Sequence, residues 1–219
     1  MAILLISPEP WDAHAVSKHH YARTLAAEGH QVVFLDPPVP GLREISFEPV
    51  SSHPGVVRVR APRVAPGLRR MPAKMRRWLE TRWLRRLEQR LGSPIEVVWL
   101  FENSRFFDLH FGGSRLRIYH QVDLNQNFYP AIAARTADIC FCTSELIRQQ
   151  LLPHNSRCYR VNHGLALAPD PPQLSEAQRQ RFDAPGTQAL YIGNLEMAYL
   201  DVELMETIIR QHPDVQFHL

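Results

Sequence analysis

The sequence is poor in cysteine, in long apolar runs and, in one informative loop, in glycine. Three cysteines in 219 residues are too few for the disulfide frameworks of small secreted proteins. Cys140 and Cys142 flank Phe141 in an apolar run, where alternation points both to one face of a strand, and Cys158 stands alone. No nearby spacing supplies a tetrahedral ligand set, and the 11 histidines are scattered, with His19-His20 lacking a partner pattern. Buried reduced thiols are expected, with no disulfide, structural metal or cofactor. The opening run Ala2–Ser7 ends at Pro8, too short for a signal-peptide core, and no later stretch is long enough to span a bilayer. The expected location is the cytoplasm. The segment from Pro8 to His20 contains no glycine, which excludes the Gly-x-Gly-x-x-Gly turn of NAD- or FAD-binding folds.

What is present is an alternation of strand and helix. With 45% hydrophobic and 21% charged residues the chain can bury a sizeable core. Continuous apolar runs predict strands at Ala2–Ser7, Gln31–Asp36, Ile95–Phe101, Arg115–His120, Ile139–Cys142 and Cys158–Val161, with shorter ones at Ile45–Val50 and Val56–Arg60 around a Ser51–Gly55 turn. Helical spacing predicts Ser17–Glu28, about Pro72–Leu91 and Glu145–Leu152. This pattern reads as an α/β fold: a parallel sheet covered on both faces, with ligands at the carboxyl ends of its strands. The informative segments are then Pro8–Ser17, Glu102–Ser104, Gln121–Asn127 and Asn162–Leu167.

A second unit follows. Ala166–Pro172 is a stiff, proline-rich stretch, giving domains at 1–165 and 175–219 joined by a connector at 166–174. The second contains a polar helix at Ser175–Phe182, a strand at Ala189–Gly193, a helix at Leu200–Gln211 and a strand at Val215–Leu219. Such a βαβ unit cannot cover its own sheet, so a truncated domain is expected.

Two loops carry candidate chemistry. In Pro8–His20, Ser17 suits an N-cap and Lys18 adds charge just inside the helix, where amides favour an anion. The loop is either a helix cap with ordinary packing by Trp11, or an acceptor loop with Trp11 as a platform for a sugar ring and Asp12 accepting a hydroxyl. In Tyr119–Asn127, His120 or Asp123 should face the cleft. An imidazole titrates near neutrality, and a carboxylate can orient a hydroxyl.

The ordered set of short phrases resembles the family 4 glycosyltransferases and their relatives. The phrases are Trp11-Asp12 before Lys18-His19-His20, Leu25-Ala26-Ala27-Glu28-Gly29-His30-Gln31-Val32, Tyr119–Asp123, Ala137-Asp138-Ile139-Cys140 with Thr143-Ser144-Glu145, Asn162-His163-Gly164, and Tyr191-Ile192-Gly193-Asn194-Leu195. The resemblance covers nearly the whole chain. It implies a GT-B architecture: two Rossmann-like domains, the first on the acceptor side and the second binding a nucleotide-sugar donor. It further implies His120 near the transferred sugar and Asp123 near the acceptor as catalytic residues, Trp11, Asp12 and Lys18 on the acceptor side, and Gly193 and Asn194 on the donor side. The implied acceptor is a glycan or a lipid-linked hydroxyl, as in polysaccharide or cell-envelope biosynthesis, and the reaction needs no metal. The chain departs from the family pattern in its glycine-free first loop and in Glu196 and Asp201, which stand where a phosphate-clamping base is common. The family's glutamate-bearing donor motif would fall after Leu219, so this chain alone is expected to be inactive.

Charge is distributed unevenly. Between Arg58 and Arg90 lie twelve of the 25 Lys and Arg residues and only two acids, Glu80 and Glu88. On the helix here, Met71, Met75, Trp78, Leu79, Trp83 and Leu87 form an apolar stripe flanked by Arg76, Arg77, Arg82, Arg85, Arg86 and Arg90. Three readings stay open: a core-packed helix with a solvated basic face, a helix on an anionic membrane surface, and nucleic-acid binding, which no recognised motif supports. The resemblance favours the membrane, placing the protein peripherally on the inner face, with Arg76, Arg77, Trp78, Arg82, Trp83, Arg85 and Arg86 at the surface. Two rival functions remain: a non-catalytic Rossmann-like module held at a membrane, and a sugar-nucleotide epimerase.

Overall fold

The computed structural model describes residues 1–101, 104–124, 128–163, 173–183, 185–193, 195 and 200–219. The chain divides into two compact units, Met1–Ala166 and Leu167–Leu219.

In the first unit an eight-stranded sheet runs in the order β3-β4-β2-β1-β5-β6-β7-β8. Its strands are β1 (Ala2–Ile6), β2 (Gln31–Leu35), β3 (Ser46–Pro49), β4 (Val56–Arg60), β5 (Val97–Leu100), β6 (Leu116–Gln121), β7 (Ile139–Cys142) and β8 (Cys158–Arg160). Every pairing is parallel except β3 against β4. That hairpin closes on Gly55, whose φ of +95° suits a residue without a side chain. A Cβ there would come within 3.2 Å of the His30 carbonyl oxygen and 3.3 Å of Ala26 Cβ.

All five residues of β1 are buried, as a central strand covered on both faces requires. Side-chain alternation sorts the core into two layers. Leu4, Ile6, Val33, Leu35, Val98, Leu100, Tyr119 and Cys140 face one way, and Ile3, Leu5, Val32, Phe34, Trp99, Phe101 and Ile118 the other. The first layer is covered by α2 (Ala73–Leu91), α3 (Pro130–Thr136) and α4 (Glu145–Leu151), and the second by α1 (Ser17–Ala27). Each fully buried aliphatic side chain contributes about 1.5–3 kcal/mol.

Helix limits follow local chemistry. Gly92, at φ +77°, ends α2 with its N–H on the Glu88 carbonyl. Ser144 caps α4 by accepting the Ile147 N–H. Nothing in the apolar pattern announces α3; its one local signal is Pro130 at the first helical position. Helix α1 starts one residue earlier than a Ser17 cap would give. Val16 is the N-cap, Ser17 is the first helical residue, and the Val16 N–H is satisfied by His19 Nδ1 at 3.2 Å.

The stripe expected on α2 is rotated. Its inward residues are Arg76, Glu80, Trp83, Leu84 and Leu87. Met75 and Trp78 face solvent, Trp78 being 59% exposed against 8% for Trp83. Trp83 therefore belongs to the core and packs, tilted by 42°, against Phe106 with 5.2 Å between centroids. Arg76 is also buried. It pairs with Asp108 at 3.2 Å and lies 4.3 Å over the Phe107 ring, so neither residue can meet an outside surface. The correction has a simple cause: the arginine stem packs as an apolar body while Asp108 neutralises its head. Of the expected basic face, Arg82, Arg85 and Arg86 are exposed, Arg77 is half-buried, and Arg82 lies 5.6 Å over the Trp78 ring.

The three thiols are buried, with the Cys142 and Cys158 sulfurs 4.0 Å apart. Among the described residues no helix is long and apolar enough to cross a membrane.

The second unit contains α5 (Glu176–Phe182), β9 (Thr187–Leu190), α6 (Val202–Gln211) and β10 (Val215–His218). β9 and β10 pair in parallel, with α6 between them in sequence. β9 begins two residues before the expected Ala189 and ends at Leu190. Ser175 and Asp201 cap the two helices by accepting the Gln178 and Leu204 N–H groups. Most of the expected connector, residues 166–172 of 166–174, lies outside the described residues, as do Asn194 and Glu196.

Candidate functional site

The chain moves from β1 to β2 on one side of the sheet and returns to place β5 on the other side of β1. That reversal makes a switch point at the carboxyl ends of β1 and β5, where open α/β sheets bind ligands. Three segments surround it: the β1–α1 loop, the end of β6 and the end of β8.

The β1–α1 loop is held by its own polar groups. The Ser7 hydroxyl donates to the Glu9 carbonyl at 2.6 Å and accepts the Glu9 N–H at 3.1 Å. The Trp11 N–H donates to Asp36 Oδ1 at 2.9 Å. Asp36 in turn accepts from Arg58 Nε at 2.6 Å, and Arg58 reaches Asp12 at 2.7 Å. Burial works against the Arg58 charge, and the Asp36 and Asp12 carboxylates more than offset it, holding the guanidinium protonated. Arg105 binds the Ser7 and Asp36 carbonyl oxygens at 3.0 and 2.8 Å, tying the ends of β1 and β2 together.

The residues expected to face an acceptor each have an internal partner. Trp11 is half-buried, edge-on to Phe34 at 4.9 Å and 5.5 Å from His19, with Arg23 5.6 Å over its ring. Asp12 is exposed but engaged by Arg58. Lys18 is buried and ion-paired with Glu9, so its charge is compensated inside the loop. The loop is polar and strand-terminal as its residues suggest, while Arg58, the partner of Asp12, lies too far along the chain to be read.

His120 sits within β6, opposite Phe141 of β7. It is buried in an aromatic nest. Phe101 lies at 4.7 Å, Tyr21 at 5.5 Å, Phe141 at 5.7 Å and Trp99, nearly parallel, at 6.0 Å. Neither ring nitrogen has a hydrogen-bond partner among the described residues. Burial, reinforced by electrostatic interaction with His163 and Lys18, pushes its pKa down to about 3. A neutral imidazole with an unused donor and an unused acceptor costs about 1–3 kcal/mol for each buried group left unpaired. An anion brought against the ring would favour its protonated form and raise its basicity. Asp123, two residues past the strand, is exposed, and its carbonyl accepts from Gln121 Nε2 at 3.2 Å.

One contact joins the segments. Ser17 Oγ at the start of α1 lies 2.5 Å from His163 Nδ1 beyond the end of β8. Together with the electrostatic coupling of His120 to His163 and Lys18, this gathers Ser17, Lys18, His120 and His163 at one end of the sheet. His163 is the member that residue-by-residue reading leaves out. Its signal is its position after a strand end, within Asn162-His163-Gly164. Of the donor-side pair, Gly193 is exposed, and a Cβ there would run into the Tyr191 phenol ring; Asn194 lies outside the described residues. Among the described residues no group of three or more His, Cys, Asp or Glu could hold a metal.

The mostly parallel sheet, its helices on both faces and its switch point define a Rossmann-like domain of the GT-B type. Solved structures share this fold. The protein described as trehalose-6-phosphate from E. coli, bound with UDP-2-fluoro glucose, superposes with a TM-score of 0.54 at 8% identity, over 99% of this chain and 64% of its own. A protein described as a UDP-N-acetylglucosamine 2-epimerase from Listeria monocytogenes gives 0.54 at 10% identity, over 100% and 63%. Arabidopsis thaliana UGT89C1, complexed with UDP-L-rhamnose, gives 0.52 at 14% identity, over 99% and 64%. This chain thus spans slightly less than two thirds of each, and at these identities the likeness shows the fold alone. No protein-family model and no curated protein matches the chain.

Proposed function

We propose that this chain belongs to a glycosyltransferase that moves a sugar from a nucleotide-sugar to a hydroxyl acceptor. The observation that carries the reading is the unpartnered imidazole of His120, in the aromatic nest at the carboxyl end of β6 beside Lys18 and His163. The fold supports it, because two proteins that share it are described with a UDP-sugar bound.

On this reading residues 1–165 hold the acceptor, 166–174 connect, and 175–219 begin the donor domain, with Gly193 and Asn194 on the donor side. His120 accepts a hydrogen bond from the reacting hydroxyl and Asp123 orients it. Trp11, Asp12 and Lys18 shape the acceptor wall through the contacts described above. Charge developing on the departing diphosphate is met by preorganised donors rather than a metal. The family 4 pattern, a hexose as the transferred sugar and a glycan or lipid-linked acceptor belong to this proposal. So does a cytoplasmic protein resting on a membrane, which the exposed Met75, Trp78, Arg82, Arg85 and Arg86 of α2 support.

A second reading, epimerisation of a sugar-nucleotide, has the Listeria protein in its favour. The test is a calorimetric panel of nucleoside diphosphates and their sugars on the natural protein that carries this chain, followed by product analysis. Saturable binding, with sugar released only when a hydroxyl acceptor is present, supports transfer. Sugar isomerised without an acceptor favours the epimerase. A folded protein that binds no nucleotide overturns both and leaves the membrane-held module.

A further inference from the structure

A cavity of about 530 Å³ opens on the α2 face of the first unit, on the opposite side of the sheet from His120. It forms where the segment after β4 bends back over the sheet through a short 3-10 turn at Leu68–Arg70, preceded by Gly67 at φ +65°. Arg69 fastens that turn. It donates through Nε to the Ser104 carbonyl, and its guanidinium lies 5.0 Å over the Phe128 ring.

The lining combines two chemistries. Trp83, Phe106 and Leu68 supply apolar wall, while Arg63, Arg69, Arg70 and Arg105 supply cations, and no carboxylate lines the cavity among the described residues. Arg69 and Arg105 are occupied by backbone carbonyls. Arg63 and Arg70 are exposed, and their side chains make no hydrogen bond or ion pair with a described residue. The volume falls within the range of small-molecule pockets, about 300–1,000 Å³. An uncharged apolar ligand would leave the arginines unused, and a small polar anion would leave the apolar wall wet. The surface complements a molecule with both parts.

We propose that this cavity binds one molecule of an anionic amphiphile, its apolar body against Trp83, Leu68 and Phe106 and its phosphate or carboxylate head on Arg63 and Arg70. The site does not depend on sugar transfer. Its test uses no nucleotide, so its failure and the failure of the transferase reading are separately visible.

The probe is octyl phosphate, titrated calorimetrically into the full chain below its micelle concentration. The expected result is saturable 1:1 binding, weakened on the order of tenfold or more by the double variant Arg63→Gln/Arg70→Gln. Leu68→Asp should weaken it similarly, and inorganic phosphate and octyl glucoside should each bind at least about tenfold more weakly than octyl phosphate. Both arginines are exposed, so the double variant should melt as the wild type does, and Arg135→Gln, on α3 away from the cavity, should bind as the wild type. Octyl glucoside binding as tightly as octyl phosphate would overturn the proposal. So would an unaffected double variant, inorganic phosphate binding as tightly, or an equal loss in Arg135→Gln, which would mean unspecific attraction to a basic surface.

Discussion

Replacing Glu80 with glutamine should make the protein more stable, and increasingly so as the pH rises. Glu80 lies on the inward face of α2, is fully buried, and neither carboxylate oxygen has a hydrogen-bond partner among the described residues. Burial pushes its pKa from 4.5 up to about 8. Arg76 and Arg77 pull it down, Asp108 pushes it further up, and burial prevails. The folded protein therefore holds a proton on Glu80 at neutral pH, while the unfolded chain has lost it. A carboxyl whose folded pKa is raised gives up stability as the pH climbs from its unfolded value, about 4.5, to its folded value, about 8, and nothing more is lost above that. The whole span is worth about 5 kcal/mol, of which about 3 has gone by pH 7. The glutamine side chain is nearly isosteric with the glutamate and does not titrate, so whatever its amide costs in place is the same at every pH. The assay is urea denaturation at pH 5, 6, 7 and 8, followed by tryptophan fluorescence, since all four tryptophans lie in the first unit. The stability of Glu80→Gln relative to wild type should rise by about 1 kcal/mol or more per pH unit over this range. A constant difference would refute the argument. Such constancy is what a Glu80 ionised throughout this range and paired with Arg76 would give.

Other outcomes follow from the same contacts. His120→Phe, which removes two unpaired buried nitrogens and keeps an aromatic in the nest, should fold normally yet abolish the proposed sugar transfer when made in the natural protein that carries this chain; full transfer by the folded variant would remove His120 from the proposed mechanism. Because burial holds the His120 pKa at about 3, its contribution is complete above pH 6.5 and is lost as the pH falls from there towards 3. Wild type should accordingly lose more stability than His120→Phe over that window in a denaturant series. Asp36→Ala removes the buried partner of Arg58 and leaves it only the exposed Asp12, which should cost about 1–3 kcal/mol by chemical denaturation. Leu84→Ala, a cavity beneath α2, should cost about 2–5 kcal/mol in the same assay. Cys140 and Cys142, whose thiols burial pushes up to about 12, should react with a thiol-specific chromogenic disulfide only at the rate of unfolding, and immediate reaction of the native protein would contradict their placement.

The elements were legible in the sequence where the apolar pattern had one interpretation. β1, β2, β5 and β7 are continuous apolar runs, and α2 lies between Pro72 and Gly92, so their bounds come within a residue or two. α3 is seven residues, too short for a period to show. On α2 the apolar residues cover more than one face, and counting them could not reveal that Arg76 and Glu80 take core positions while Met75 and Trp78 do not. What reversed the expected face was Asp108, thirty-two residues away, drawing Arg76 inward. The site shows the same division. The loops that carry it follow from the strand ends, and Lys18 finds Glu9 within its own loop, whereas the partners that engage Asp12 and Ser17 depend on chain crossings, the longer of 146 residues.

The margins of the large sheet have their own consequence. At one side stands β3, four residues long and ending in Pro49, whose nitrogen carries no hydrogen; at the other stands β8, with three. A strand from another chain arriving at either side would find a ladder only a few rungs long, with one rung already missing at the proline. Among the described residues the sheet, wide as it is, offers an added strand little to pair with at either margin.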